Sequence, residues 1–310
     1  MNFDFTVFTP TYNRRHTLNR VFQSLKKAGS VRFEWLIVDD GSNDGTCEFI
    51  DELAAVSPFE IVYFFKDNGG KHSAHNFAIE RARGSLFVVL DSDDEIFPGA
   101  LDSLFLEWNS VERSDKRVIA GILGNSVDER GSIVGAPFPS SGIEGSNFYL
   151  STSGAMIGDK LPCYSLEILK KHPFPILPIR TVVPEGVVWN AIGRTHVVVC
   201  VNKSVRIYHR SLHDDASLMN SYRDAGSNAA GKFMYSVSSL NYSDLHFLQF
   251  PMRFVKDAIN CTRFFLHARH SFLFRFFAGL APANLLLVAV FVPVGLLVWI
   301  VDKSGQVIRS

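Results

Sequence analysis

Four times within its first hundred residues the chain runs through a short apolar segment and then breaks into a polar cluster, with an amphipathic stretch before the next segment. The segments are Phe3 to Phe8, Phe33 to Val38, Glu60 to Phe65 and Leu86 to Leu90. Strand-length runs alternating with helix-length repeats are the pattern of a parallel sheet, whose neighbouring strands need helical crossovers. Between the first two, Leu18, Val21, Phe22 and Leu25 recur at helical spacing, while Arg20, Lys26 and Lys27 lie on other faces. The second crossover opens at Thr46, which suits an N-cap, and turns Phe49, Ile50 and Leu53 inward. The third covers about Ser73 to Arg83 and stops at Gly84. By pattern this is a nucleotide-binding half-domain.

The length of 310 residues, 47% of them hydrophobic, allows a substantial core and excludes disorder. Lys plus Arg and Asp plus Glu each total 31, so no general attraction to nucleic acid is expected. Cys47, Cys163, Cys200 and Cys261 are far apart and match no paired metal spacing, which points to reduced thiols. Met1 to Phe8 enters a strand pattern directly, so no signal peptide is expected. The absence of a phosphate-binding Gly-x-x-x-x-Gly-Lys-Ser/Thr loop and of a serine elbow in the first half argues against kinase-like and hydrolase readings.

Beyond about residue 98 the rhythm loosens into Gly- and Pro-rich pieces such as Gly135 to Pro139 and Pro173 to Pro178, which suit an acceptor-binding half. A helix is expected near Pro184-Glu185-Gly186, running through Trp189 and Ile192, then a strand at Val197 to Val201. From Phe233 onward Phe, His and Arg accumulate ahead of an uncharged stretch, Phe276 to Val301. About 20 apolar residues in a helix span a bilayer core. This stretch has only Asn284 as a polar interruption near its start, so membrane insertion is expected over a buried terminal helix. Pro282 and Pro293 leave a re-entrant or interfacial path open.

Ligands of open parallel sheets bind beyond the carboxyl ends of the strands. The residues there are Thr9 to Arg14, Asp39 to Ser42, Lys66 to His72 and Asp91-Ser92-Asp93-Asp94. Asp91 and Asp93 can present oxygens to a hard divalent ion that also takes phosphate oxygens. Alone, the cluster is equally a solvated turn with Asp94 capping a helix. Asp40 can accept hydrogen bonds from a base or ribose, or be part of an Asx turn with Asp39. Gly69 and Gly70 allow close backbone approach, Lys71 adds a charge suited to a diphosphate, and Tyr12 can stack on a base or simply pack. In the polar run Arg206 to Asp215, a solvated loop competes with a lid in which His209 or His213 adds a metal ligand and Arg210 contacts phosphate.

Together these segments resemble the family 2 glycosyltransferases of the GT-A fold. The matching pieces are Thr9-Pro10-Thr11-Tyr12-Asn13-Arg14, Ile37 to Ser42 with Asp44-Gly45-Thr46, Asn68 to His72 with Asn76 and Ala82-Arg83-Gly84, and Leu90 to Asp94. The likeness is close over residues 3 to 110 and loose to about residue 215. It implies an α/β fold with a GT-A-type, Rossmann-like, mostly parallel sheet flanked by helices, followed by a C-terminal helical membrane-associated segment. It also implies a nucleotide-sugar site of Pro10, Tyr12, Arg14, Asp40, Lys71, Asp91, Ser92 and Asp93, with Asp91 and Asp93 holding Mg²⁺ or Mn²⁺. The implied reaction is an inverting displacement in which Glu185 is the catalytic base. Members often carry an acidic pair at that place, and here Gly186 replaces the second acid.

The expected organisation is a GT-A domain over 1–230, with a nucleotide-binding half at 1–110 and an acceptor-binding half at 111–230. Membrane-associated helices follow over 231–310, with the apolar segment at 280–301. The expected function is sugar transfer from a nucleotide-diphosphate donor, UDP-linked, to a glycan or lipid-linked acceptor in surface-polysaccharide or lipopolysaccharide assembly. The expected place is the cytoplasmic face of the inner membrane. The competing readings are a nucleotidyltransferase and a noncatalytic membrane-tethered subunit of glycan assembly.

Overall fold

A computed structural model describes residues 3–115, 118–179, 181–209, 226 and 228–309, the side chains of 112–115 and 305–309 excepted. The chain divides into two compact units, residues 1–176 with 195–210, and residues 177–194 with 211–310. The segment carrying Glu185 groups with the C-terminal helices.

The first unit is built on one mixed sheet. Strands β1 (Phe3–Thr11), β2 (Phe33–Asp39), β3 (Glu60–Phe65) and β4 (Gly84–Val89) are parallel, in the spatial order β3-β2-β1-β4. Helices α1 (Arg15–Leu25), α2 (Thr46–Ala55) and α3 (Lys71–Arg81) connect them. Beyond β4 come β8 (Lys160–Ser165), β6 (Ile119–Val127), β9 (Val197–Ile207) and the short β5 (Glu95–Ile96). The antiparallel β8 lies between β4 and β6, while β7 (Ile143–Gly145) pairs with β9. Helix α4 (Ala100–Asp115) and the short α5 (Asn147–Thr152) and α6 (Leu166–Lys171) complete the unit.

The alternation along β1 decides its two faces. Phe5 and Val7 enter a core with Leu18, Val21, Phe22 and Leu25 of α1 and with Trp35, while Phe8 stacks on Phe87 and meets His75 of α3 on the other face. β1 is longer than expected because its pairing with β2 continues to Thr11 opposite Asp39. Pairing with β4 stops at Phe8, so Pro10, which has no N–H to donate, sits where only one neighbour remains. Thr46 is the first helical residue of α2, and Gly45, at φ 77°, takes the capping position.

Several residues of the recurrent motifs hold the fold. The buried Glu34 accepts from Thr6 Oγ1 at 2.6 Å and from Arg83 Nε at 2.7 Å, and Gly84 N donates to Thr6 Oγ1 at 2.9 Å. A Cβ on Gly84 would lie 2.2 Å from Thr6 N, so the start of β4 admits only glycine beside β1. Asn76 of α3 pins the Pro-rich loop at Phe174, donating to its carbonyl and accepting from its N–H, both at 2.8 Å.

The second unit is helical. It contains α7 (Gly186–Gly193), α8 (Ala229–Leu240), α9 (Ser243–His246), α10 (Pro251–Ala268), α11 (Phe274–Phe277) and α12 (Pro282–Arg309). Pro282 opens α12, where a missing N–H costs nothing. Pro293 lies inside α12, and the helix continues through it. Residues Pro282–Ser304 form a helix long and apolar enough to cross a membrane, with a mean hydropathy of 2.6 over its most apolar window.

Candidate active site

The carboxyl ends of β1, β2, β3 and β4 converge within the first unit, and hydrogen bonds join their loops. Asn13, at φ 53°, receives Asn43 N on its Oδ1 at 2.9 Å and donates its own N–H to Ser42 Oγ at 2.8 Å. Asp39 accepts from Ser42 N at 2.7 Å and from Tyr63 OH at 2.8 Å, so one of its oxygens braces the turn after β2 and the other ties it to β3. Burial and that carboxylate together push the Tyr63 phenol up.

Asp40 holds the next loop. Its carboxylate accepts from Lys66 Nζ at 2.7 Å, Gly69 N at 2.9 Å and Gly70 N at 2.6 Å. Gly70 is at φ 87°, and a Cβ on Gly69 would lie 2.7 Å from Ser73 Oγ, which is why this loop needs its glycines. Lys71 follows as the first residue of α3, and its Nζ lies 2.7 Å from Asp91 Oδ1.

The turn after β4 concentrates charge. Burial raises the Asp91 carboxyl, but the Lys71 ammonium, with Arg206 and Arg14, outweighs it and holds Asp91 below its usual value. Asp93 goes the other way: burial and the Asp91 charge raise it against the pull of Arg14, whose Nη1 is 3.8 Å from Asp93 Oδ2. Arg20 of α1 donates to the Asp93 carbonyl, and Ser92 is buried between the two acids. Tyr12, next to Thr11 at the end of β1, is 45% exposed.

Asp94 caps no helix, because β5 follows it. It is almost fully buried, accepts from His209 N at 3.1 Å and faces Arg206 Nη1 at 3.3 Å. Burial pushes its carboxyl up to about 7, with Arg206 opposing and Asp91 adding to the rise. Arg206 also reaches Asp159 at 2.8 Å and Ser126 Oγ at 3.0 Å. The polar run beginning at Arg206 was visible in the sequence, but its pairing with Asp94 depends on β5 meeting β9, a contact that no local pattern announces.

His209 places Nε2 2.7 Å from Glu95 Oε1 and Nδ1 against Glu129. Both ring nitrogens thus face carboxylates. Arg210 and His213 lie outside the described residues. Glu185 precedes α7 in the second unit, where its carbonyl accepts from Val188 N at 2.9 Å. A Cβ on Gly186 would lie 2.4 Å from the Tyr235 ring, so the neighbouring packing explains why no second acid stands beside Glu185.

Asp91 and Asp93 offer oxygen donors that suit a hard divalent ion, and the Asp93 carboxyl is raised first by burial and then by the Asp91 charge, both of which a bound cation would offset. Among the described residues no three His, Cys, Asp or Glu side chains form a complete metal cage, so remaining ligands would come from a bound phosphate or water. A cavity of about 390 Å³ opens at the opposite end of the sheet, beside Phe3, Phe33 and Phe59, and holds none of these strand-end residues.

The family model of glycosyl transferase family 2 matches residues 6–136, the stretch that contains all four strand ends. This region belongs to glycosyl transferase family 2. The chain is also similar to TuaG of Bacillus subtilis (strain 168), whose name reads "Putative teichuronic acid biosynthesis glycosyltransferase", at 34% identity over 90 residues covering 29% of this chain. The match spans about a third of that relative's length, 36%. The likeness in fold extends further. The crystal structure of S. aureus TarS 1–349 in complex with UDP-GlcNAc superposes with a TM-score of 0.55 at 16% identity, over 84% of this chain and 81% of that one. The mannosyltransferase PcManGT from Pyrobaculum calidifontis, in complex with GDP-Man and Mn²⁺, gives 0.52 at 15% identity, over 99% and 87%.

Proposed function

We propose that this glycosyltransferase transfers a sugar, with inversion, from a UDP-linked donor to a glycan or lipid-linked acceptor in surface-polysaccharide or lipopolysaccharide assembly. The observation that carries the reading is the ion pair of Lys71 with Asp91 beside Asp93 and Arg14, a mixed-charge cluster at the strand ends. Cations and metal-suited acids side by side fit a diphosphate, which needs both positive neighbours and bridged oxygens. The UDP-GlcNAc complex of S. aureus TarS supports a UDP-linked donor, and the Mn²⁺ complex of PcManGT supports a divalent ion.

In this reading Pro10, Tyr12 and Asp40 form the nucleoside end of the site. Tyr12 stacks on the base, and Asp40 shapes the loop that approaches the ribose. Lys71 and Arg14 bind phosphate oxygens, while Asp91 and Asp93, with Ser92 between them, hold Mg²⁺ or Mn²⁺. Such an ion, when bound, stabilises the charge on the departing nucleoside diphosphate. Glu185 removes the proton of the acceptor hydroxyl as the sugar is attacked from the face opposite the leaving group. Residues 1–110 serve the donor, and 111–230 the acceptor. The apolar helix α12 associates the enzyme with the inner membrane at its cytoplasmic face, where nucleotide sugars are found.

A panel of sugar nucleotides offered with membrane extract and Mn²⁺, and read by product mass, tests the reading. A single-sugar increment on an acceptor, with release of a nucleoside diphosphate, is the expected product. Pyrophosphate released from a nucleoside triphosphate would mark a nucleotidyltransferase instead.

A further inference from the structure

Helix α12 touches the rest of its unit along one narrow stripe. Asn284, Val288 and Gly295 are buried, and Phe291, Val298 and Asp302 are partly buried, at alternating steps of four and three residues. Leu286, Val290, Leu297 and Val301 repeat on another side of the helix, and each is more than half exposed. Only 17% of the most apolar window is buried, so most of this helix's apolar surface has no protein cover.

The stripe is pinned at three levels. At the start, Asn284 Nδ2 donates to the Leu240 carbonyl at 2.9 Å and its Oδ1 accepts from Ser243 Oγ at 2.5 Å. In the middle, Gly295 lets the helix approach α10, where an added Cβ would come within 2.6 Å of Thr262 and 2.8 Å of the Ile259 carbonyl. At the end, Asp302 accepts from Arg263 Nε at 2.6 Å and Nη2 at 2.7 Å, and meets His267 Nε2 at 2.9 Å. α12 therefore runs beside α10, and α10 carries Arg253, Lys256, Asp257 and Arg263.

If α12 stood across a bilayer, α10 would bring those charges to hydrocarbon depth, where ionised side chains are expelled. Laid in the plane of the membrane, α12 buries its exposed apolar side while α10 stays among headgroups. Charge favours one kind of surface. Residues 229–304 contain seven Lys and Arg against three Asp and no Glu. Each of those three aspartates is paired with an arginine: Asp244 with Arg194, Asp257 with Arg253 and Asp302 with Arg263. Lys256, Arg269 and Arg275 are exposed.

We infer that α12 is a monotopic anchor that lies in the plane of an anionic bilayer, apolar side down, and does not cross it. This rests on the membrane association proposed for α12 and adds its geometry. The test uses the full chain with vesicles of equal parts phosphatidylcholine and phosphatidylglycerol. Co-sedimentation is expected, weakened by salt and by the pair Leu286→Glu and Leu297→Glu by about tenfold or more. Nitroxide labels on Leu286→Cys, Val290→Cys, Leu297→Cys and Val301→Cys, each in a Cys47→Ser background, then report depth by collision with oxygen and with a water-soluble nickel complex. All four labels are expected at one shallow depth. Labels deepest at Val290 and Leu297 and shallow at both ends would overturn the in-plane anchor while leaving membrane association standing. Failure to co-sediment with these vesicles would overturn both.

Discussion

The Lys71 ammonium sits 2.7 Å from Asp91 Oδ1, bridging the loop after β3 and the turn after β4. Two segments far apart in sequence thus meet as an ion pair at the carboxyl edge of the sheet. Without a ligand, Lys71 offsets the charge that Asp91 would otherwise press upon Asp93.

Replacing Lys71 by Met should therefore weaken nucleotide binding by about tenfold or more, because a diphosphate loses a cation and Asp91 loses its partner. Lys71→Arg should recover part of the loss. Calorimetric titration with nucleoside diphosphate, without any acceptor, checks this, and unchanged affinity in Lys71→Met would remove the residue from the site.

Glu185→Gln keeps the shape of the side chain and removes its basicity. Transfer should fall by about a hundredfold or more, the usual scale for a lost general base, while donor affinity stays within about twofold. Equal turnover in the wild type and the variant would take the base assignment away from Glu185.

Asp94 gives the fold a pH dependence. Its carboxyl keeps its proton up to about 7 in the folded protein, whereas an unfolded aspartate releases it near 3.8. Between those values the folded state binds the extra proton, so the Asp94 contribution to stability declines as pH rises from about 4 to about 7, by at most about 1.4 kcal/mol per pH unit. Asp94→Asn still accepts from His209 N and lacks the titration, so urea unfolding of the variant should show a shallower decline across that window. Parallel profiles for the two proteins would mean that Arg206 holds Asp94 ionised throughout.

Gly84→Ala should destabilise the first unit by about 3 kcal/mol or more, since the new methyl meets the β1 backbone at a distance no rotamer relieves. A thermal midpoint within a degree or two of the wild type would contradict the register of β4 against β1, in which Gly84 lies opposite Phe3.

The parallel half of the fold was legible because β1, β2 and β4 are apolar runs and α1 has a clean helical repeat. α3 was legible only approximately: it runs from Lys71 to Arg81, two residues earlier at each end than expected, Gly84 opens β4 instead of ending the helix, and its buried side includes His72 and His75, residues that a hydrophobic count passes over. The antiparallel β8 between β4 and β6 was not legible, since its partners lie some forty to eighty residues away and neither edge is marked locally. The strand-end polar clusters were legible as a set, but their division of labour was not. Asp39 and Asp40 look alike in sequence; one braces its own turn and Tyr63, and the other holds the Gly69-Gly70 loop. The partnership of Arg206 with Asp94 and the crowding of Gly186 by Tyr235 both depend on elements distant in the chain.

In the proposed function the Asp91 to Asp93 turn, with Lys71, holds the diphosphate of the donor together with a divalent ion. Calorimetric titration of UDP, GDP, CDP and dTDP into the wild type and Asp93→Asn, each with and without Mn²⁺, tests it most directly. Tightest binding is expected for UDP, with an affinity that rises with Mn²⁺ in the wild type and loses that rise in Asp93→Asn at unchanged folding. Equal affinity with and without the ion, the same in both proteins for every nucleotide, would contradict it.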